Sequence, residues 1–394
     1  MNNNKKSELS RVLACAVAIM ISALVINAGP VITGAYTEGL GLTISEAGTL
    51  VSMIMAGSGI SMIALIFFLY KLSPKKVFIV ATLGATATSV PVLFFTHYEF
   101  LLGLFFVQGL FGGAAYATAM SLLGESENQD QAFGLSQFMQ ILGTAAIVYS
   151  VPAVIYPFFG YKGMVCTLIL AYASMILLVK YIPSQFKTIE KETLQLKSNF
   201  AARIPSLMGL GSLFVCNGAI TGIWMYAERM GTDLNIPANL IGMVLGSGVL
   251  VAILGTLIPI FVGDRIGRIT PYLAATSLMV LAIYCLYIAT GLGLWSMGVI
   301  LLNISWAILL PYQFAQTTSS DPTGKLKVVV PASVGLSAGA GVAIVGQLFD
   351  GDFNLAFAVT VVAVIVSAVA FVYSNIAGRK LEAKIDSIQT AVVA

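Results

Sequence analysis

The chain has 394 residues, 58% of them hydrophobic and 9% charged, with a formal net charge of +3. Soluble domains carry about 25% charged residues, so a water-soluble fold is excluded and a polytopic membrane protein is expected. So small a net charge says nothing about partners, and where the charges lie carries more information than their sum.

Lys5, Lys6 and Arg11 precede the first apolar run, and further runs follow it, which predicts a retained first helix and not a cleaved leader. A hydrocarbon core of about 30 Å calls for about 20 apolar residues per spanning helix. Apolar runs at 11–37, 45–70, 76–95, 99–123, 132–157 and 164–182 predict six spans. After one long polar connection, runs at 204–230, 239–263, 270–290, 294–317, 328–348 and 355–377 predict six more. The expected fold is all-α and integral to the membrane, with twelve transmembrane helices in two pseudo-symmetric six-helix bundles. The bundles are assigned to 1–182 and 204–394, the second with a short cytoplasmic tail. Between them, 183–203 is read as an amphipathic linker helix lying along the interface, with Phe186, Ile189, Leu196 and Phe200 at loosely helical spacing. Placing the N-terminus in the cytoplasm puts every Lys and Arg except Lys162 and Arg229 on or beside cytoplasmic segments. That positive-inside bias predicts a multi-pass protein of the cytoplasmic (inner) membrane with both termini cytoplasmic.

The two halves echo each other. "VITGAY" (31–36) answers "AITGIW" (219–224), and "AGSGI" (56–60) answers "LGSGV" (245–249), at offsets of 188 and 189 residues. Two matches in the same order near one offset support duplication of a six-helix unit. Parallel repeats of this kind place a binding site between the halves near the bilayer midplane.

Ionisable groups inside a bilayer are costly and usually functional. Glu38 and Glu228 are the carboxylates nearest a predicted cavity, each eleven residues after an asparagine, Asn27 and Asn217. Eleven residues of continuous helix are about three turns and about 16 Å, so each pair would project from one face. Tyr36, Thr221 and Trp224 share these stripes. The expected roles are substrate binding for Asn27, Tyr36, Asn217, Thr221 and Trp224, and coupling or an outer gate for Glu38 and Glu228. The plainer alternative is that the asparagines bond neighbouring helices and the glutamates are interfacial. Gln108 in the fourth span, Gln137 and Gln140 in the fifth, and Asn303, Trp306, Tyr312 and Gln313 in the tenth complete the candidate set. Pro311 would free backbone groups near the middle of the tenth span. Amides, aromatic rings and hydroxyls suit a neutral or weakly charged solute, whereas a strongly anionic one would call for buried Arg or Lys.

Two charged loops stand out. "VGDRIGRI" (262–269) holds Asp264, Arg265, Gly267 and Arg268, and "GESENQDQ" (124–131) holds Glu125, Glu127 and Asp130. Their complementary charges predict a cytoplasmic gate. The glycine runs "GMVLGSG" and "GLSAGAG" lie inside apolar helices with no preceding strand and no Walker lysine, so close helix packing is expected of them. Cys15, Cys166, Cys216 and Cys285 sit in apolar runs without ligand spacing and are read as buried free thiols. With His97 as the single histidine, neither a metal site nor any other cofactor is expected.

The G-D-R-x-G-R stretch after the eighth span resembles the G-x-x-x-D-R-x-G-R-K-type loop of the major facilitator superfamily, and the likeness extends over essentially the whole chain. After the second span the same loop has decayed to "FFLYKLSPKK". "LGLTISEAGTLVSM" (40–53) resembles the family's first outer loop, and "FFGYKGMV" (158–165) its G-[WY]-[RK] turn. "FFVQG" keeps Gln108 and Gly109 of the fourth-helix R-x-x-Q-G motif but has Phe105 for the Arg, and no fifth-helix G-P signature is recognisable. The resemblance implies a secondary active or facilitative transporter working by alternating access, with a small-molecule substrate and a co-transported proton or other ion as an option. The missing Arg favours uniport or symport over proton-coupled drug or metabolite efflux, and a transporter-like receptor that moves nothing is the third reading. An intramembrane enzyme would need paired Asp, H-E-x-x-H or a Ser/His arrangement, so no enzyme is expected. The lipid bilayer is the expected surrounding, with no nucleic-acid partner and a monomeric state.

Overall fold

The computed structural model describes residues 3–42, 44–68, 71–186, 200–321, 326–351 and 353–393, and these hold fourteen α-helices and no strand. The first half contains α1 (Asn3–Asn27), α2 (Gly29–Leu40), α3 (Ile44–Phe68), α4 (Pro74–Ser89), α5 (Tyr98–Leu123), α6 (Gln129–Ser150) and α7 (Tyr156–Ser174). The second contains α8 (Phe200–Met225), α9 (Ala227–Asp233), α10 (Ala238–Phe261), α11 (Ile269–Tyr287), α12 (Leu292–Ser319), α13 (Leu326–Gly351) and α14 (Phe353–Val393). Ten described stretches are long and apolar enough to cross a membrane. Two shorter apolar stretches, Thr49–Leu65 and Val329–Gly341, lie within α3 and α13, helices of 25 and 26 residues. Large apolar side chains stand outward along these helices, with Phe158 75% and Leu170 69% exposed. Only a lipid solvent accommodates such a surface. The expected linker helix falls largely on 187–199, outside the described residues.

The first and seventh spans, each expected as one helix, are both broken. Ala28 (φ −95°, ψ 19°) separates α1 from α2, and Pro30 sits in the first turn of α2, where its missing N–H leaves no bond unmade. Tyr226 (φ −101°, ψ 3°) separates α8 from α9. Apolar length reports that a segment lives in the membrane, not that it is straight. A third corner falls at Gly160 (φ 61°, ψ −162°), inside the Tyr156–Ser174 segment.

The chain forms two compact units, one of residues 1–126 with 135–187, the other of 127–134 with 188–394. In the first unit α3 and α5 approach until a Cβ on Gly57 would lie 2.1 Å from the Phe106 carbonyl oxygen, and one on Gly109 2.2 Å from that of Ile54. Lipid tails are as apolar as leucine, so helices in a bilayer associate through close packing at small residues and through hydrogen bonds. Ser58 Oγ supplies such a bond to the Gly109 carbonyl at 3.1 Å. The second unit does the same between α8 and α13, where a Cβ on Gly341 would lie 1.9 Å from the Gly218 carbonyl oxygen. The buried Trp295 pins α9 by donating its indole N–H to the Ala227 carbonyl at 3.0 Å. Cys15, Cys216 and Cys285 are buried as expected, but Cys166 is exposed. An apolar run cannot say which side of its helix faces lipid.

Candidate functional site

The turn between α10 and α11 is built on two glycines in the left-handed region, Gly263 (φ 55°) and Gly267 (φ 76°). Residues with a Cβ rarely adopt that conformation. Backbone bonds from Arg265 to the Val262 carbonyl (3.1 Å) and from Gly267 to the Asp264 carbonyl (2.8 Å) close the turn. The Tyr312 hydroxyl, buried on α12, donates to the Gly263 carbonyl at 3.0 Å. The turn thereby delivers Arg268, the residue flanking the start of α11, into the second unit.

There Arg268 meets Asp130, which belongs to the same unit through the segment 127–134. The Nε–H is shared by both carboxylate oxygens at 3.0 Å each, and Asp130 is 1% exposed. Nη1 donates to Ser319 Oγ at 2.5 Å and to Gln316 Oε1 at 3.3 Å. Gln316 Oε1 also accepts from Asn375 Nδ2 of α14 at 2.7 Å. The segment is further seated by a bond from the Thr318 hydroxyl to Gln129 Oε1 (2.7 Å) and by Phe133 edge-on to Phe314 at 5.4 Å. A charge pair taken out of water holds only where its remaining donors and acceptors are satisfied; Gln316 and Ser319 accept from Arg268, and Asn375 holds the Gln316 amide in place. Asp264 and Arg265 are exposed, and no side chain caps the start of α11. Glu127 is exposed. Glu125 is 8% exposed and lies in the first unit, where Arg11 Nη2 donates to its backbone carbonyl at 3.5 Å.

In the first unit the break at Ala28 overturns the straight stripe from Asn27 to Glu38, because the two residues stand on different helices. Asn27 is exposed at the end of α1, and Glu38, exposed on α2, accepts a hydrogen bond from the Tyr156 hydroxyl. Tyr36 is 3% exposed and packs edge-on against Phe105 at 5.3 Å, so an aromatic pair fills the fourth-helix position where an Arg could stand. Gln108 donates to Ser89 Oγ at 2.8 Å, and Gln140 to Gln137 Oε1 at 2.6 Å.

In the second unit the break at Tyr226 likewise parts Asn217 from Glu228, whose side chain lies outside the described residues. Asn217 donates to the Val334 carbonyl (3.1 Å) and to Ser337 Oγ (2.9 Å), which is the helix-bonding role. Thr221 donates back to the Asn217 carbonyl at 2.7 Å, and Trp224 is half-buried against the apolar core. Asn303 donates to the Val299 carbonyl at 2.8 Å, and the half-buried Trp306 keeps its indole N–H without a partner. Gln313, 1% exposed, donates to the Tyr272 hydroxyl oxygen at 2.8 Å. Tyr312 and Gln313 therefore serve the interior of their own unit, one holding the turn and the other a polar cluster. Ser212, Tyr272, Ser319, Ser367 and Asn375 also take part, and the sequence did not single them out. A lone hydroxyl in an apolar run carries no signal until its partner helix is known.

Among the described residues no group of three or more His, Cys, Asp or Glu is placed to hold a metal ion. The arrangement offers amide and hydroxyl contacts and one buried ion pair.

No curated protein sequence matches the chain significantly. Solved structures share its fold at low identity. The E. coli fucose:proton symporter FucP in the outward conformation is 16% identical with a TM-score of 0.72, covering 94% of this chain and 98% of its own. The human organic anion transporter MFSD10 is 11% identical with a TM-score of 0.68, covering 95% and 100%. A bacterial homologue of the iron transporter ferroportin, in the outward-facing state, is 12% identical with a TM-score of 0.67, covering 95% and 99%. The sequence model of the Major Facilitator Superfamily matches residues 13–330, well over half of the chain. The protein belongs to the Major Facilitator Superfamily.

Proposed function

We propose that the protein is a secondary transporter that carries a small, neutral or weakly charged organic solute by alternating access between an N-terminal bundle (1–182) and a C-terminal bundle (204–394). It resides in the cytoplasmic membrane with both termini in the cytoplasm. The observation that carries the solute class is the chemistry of the helix interiors. Among the described residues, the buried charged ones, Glu125, Asp130 and Asp321, stand at helix ends, while the buried polar groups within the spans are Asn, Gln, Ser and Thr. Groups of this kind hydrogen-bond a neutral solute, and among the described residues no buried cation stands within a span to neutralise an anion. Trp306, with its unpartnered N–H on a half-buried ring, is the best-placed donor for it, flanked by Asn303. The fucose:proton symporter among the structural relatives supports both this solute class and a proton as coupling ion.

The Asp130–Arg268 pair is assigned to the cytoplasmic latch, whose seat is the G-D-R-x-G-R turn. The deciding experiment is entrance counterflow in proteoliposomes with a panel of sugars, polyols, nucleosides, amino acids and organic anions, with and without a proton gradient. Saturable exchange of a neutral solute is expected. Exchange confined to organic anions would overturn the solute class, and saturable binding without exchange would establish a receptor.

A further inference from the structure

The turn that seats Arg268 also presents groups that the latch does not use. Asp264, Arg265 and Ile266 are exposed on it, and Ile266, an apolar side chain set among charges, is 61% exposed. Arg379 of α14 lies against the same turn, since a Cβ on Gly267 would stand 3.6 Å from its Nη2. Arg379 and its neighbour Lys380 are both exposed. The ion pairs among the described residues engage Arg11 and Arg268, and not Arg265 or Arg379. Three membrane-length stretches set the level of these charges. Leu240–Phe261 ends just before the turn, Ile269–Tyr287 begins just after it, and Asn354–Leu381 ends just beyond Arg379. Within the spans the surface turns apolar. The buried Tyr272 of α11 stacks on Phe371 of α14 at 3.6 Å, which packs the two helices together. Leu273 of α11 and Tyr373 and Ile376 of α14 are exposed within two turns of the charges.

We propose that this corner of the second unit binds an anionic glycerophospholipid of the phosphatidylglycerol type. Arg265 and Arg379 hold its phosphate, and its acyl chains run past Ile266 onto Leu273, Tyr373 and Ile376. The exposed side chains at the corner carry three cations, Arg265, Arg379 and Lys380, against the single carboxylate of Asp264. Guanidinium groups suit phosphate oxygens because they present paired donors in a fixed plane. Basic clusters at the cytoplasmic ends of spans attract anionic headgroups in the same way. Here the two arginines are far apart in sequence, and the packing of α11 on α14 brings their elements together at the boundary of the spans. A soluble phosphate ester is the poorer occupant, because it leaves Ile266 in water, whereas a lipid covers it. Only the choice of leaflet rests on the cytoplasmic orientation proposed above.

The test is native mass spectrometry of the detergent-purified full-length protein titrated with dioleoylphosphatidylglycerol. It reads binding without transport, so its failure and a failure of the transport reading are told apart. Saturable retention of the lipid is expected, weakened about fivefold by Arg265→Gln or Arg379→Gln and further by the two together. Each single variant reads the site by itself should the double variant not fold. Lys71→Gln with Lys76→Gln removes the same charge from exposed positions in the first unit, and it should leave retention at the wild-type level. Equal weakening by both double variants would reduce the binding to diffuse surface charge and overturn the site. Unchanged retention in Arg265→Gln with Arg379→Gln would do the same. Displacement of the lipid by soluble glycerophosphoglycerol would assign the corner to a free phosphate ester and overturn the lipid.

Discussion

Arg268 offers a single N–H, Nε, to both oxygens of Asp130, at 3.0 Å to each, and spends Nη1 on Ser319 and Gln316. A fork-to-fork pair would have used two guanidinium nitrogens on the carboxylate. Here the guanidinium is divided between the start of α6 and the end of α12, so it joins three elements and does more than neutralise a charge.

Asp130→Asn keeps the shape and removes the charge, leaving a largely buried guanidinium opposite a neutral amide. Removing one member of a buried pair costs about 3–5 kcal/mol, so a large fall in Tm is expected. The reciprocal exchange, Asp130→Arg with Arg268→Asp, restores part of it. An unchanged Tm for Asp130→Asn would show the pair to be energetically idle.

The latch assignment predicts a change in accessibility as well as in stability. With Arg265 and Arg268 both replaced by Glu, cysteines introduced along the cytoplasmic vestibule should react faster with a membrane-impermeant maleimide. Arg265 is exposed, and exposed pairs contribute only about 0–1 kcal/mol. The single Arg265→Glu variant should therefore leave the rate near that of the wild type, and equal rates for all three proteins would remove the latch.

The two left-handed glycines predict their own substitutions. Gly267→Ala and Gly263→Ala should each cost about 1–2 kcal/mol, the penalty of a Cβ in that conformation. Gly263→Asn should cost less, since Asn visits the left-handed region more readily. Thermal unfolding of the three variants side by side gives the order.

Helix α12 should divide functionally at Pro311. Trp306→Phe removes the indole N–H together with part of the ring, and the lost hydrogen bond, about 0.5–1.5 kcal/mol, should raise the transport KM up to about tenfold, with a modest fall in Tm from the lost packing. Tyr312→Phe releases the Gly263 carbonyl instead. It should lower stability by about 1 kcal/mol and leave KM unchanged. The reverse pattern would exchange the roles of the two residues.

Much of this was legible in the residues, and the illegible part has a physical cause. Apolar runs locate spans because the bilayer sets their length, and the two charged loops stood out because charges at span ends are few, although which acid meets which arginine was not legible. The break at Ala28 was foreshadowed by Pro30, but nothing in the local sequence marks Tyr226. The amides were the hard case. Gln313 and Asn217 read equally well as cavity lining or as bonds between helices, since only the rotational setting of neighbouring helices decides which way an amide points. Tyr312 was misjudged for the same reason, because its partner, a carbonyl exposed by a left-handed turn, leaves no trace in side-chain pattern.

The assignment of residues 127–134 to the second unit bears on how the protein could be dissected. A gene split in the linker would give two fragments, and the first would carry Asp130 and Phe133 without the arginine and phenylalanine that receive them. Neither fragment would be a self-sufficient module, and co-expression rather than mixing after purification would be the route to a functional pair.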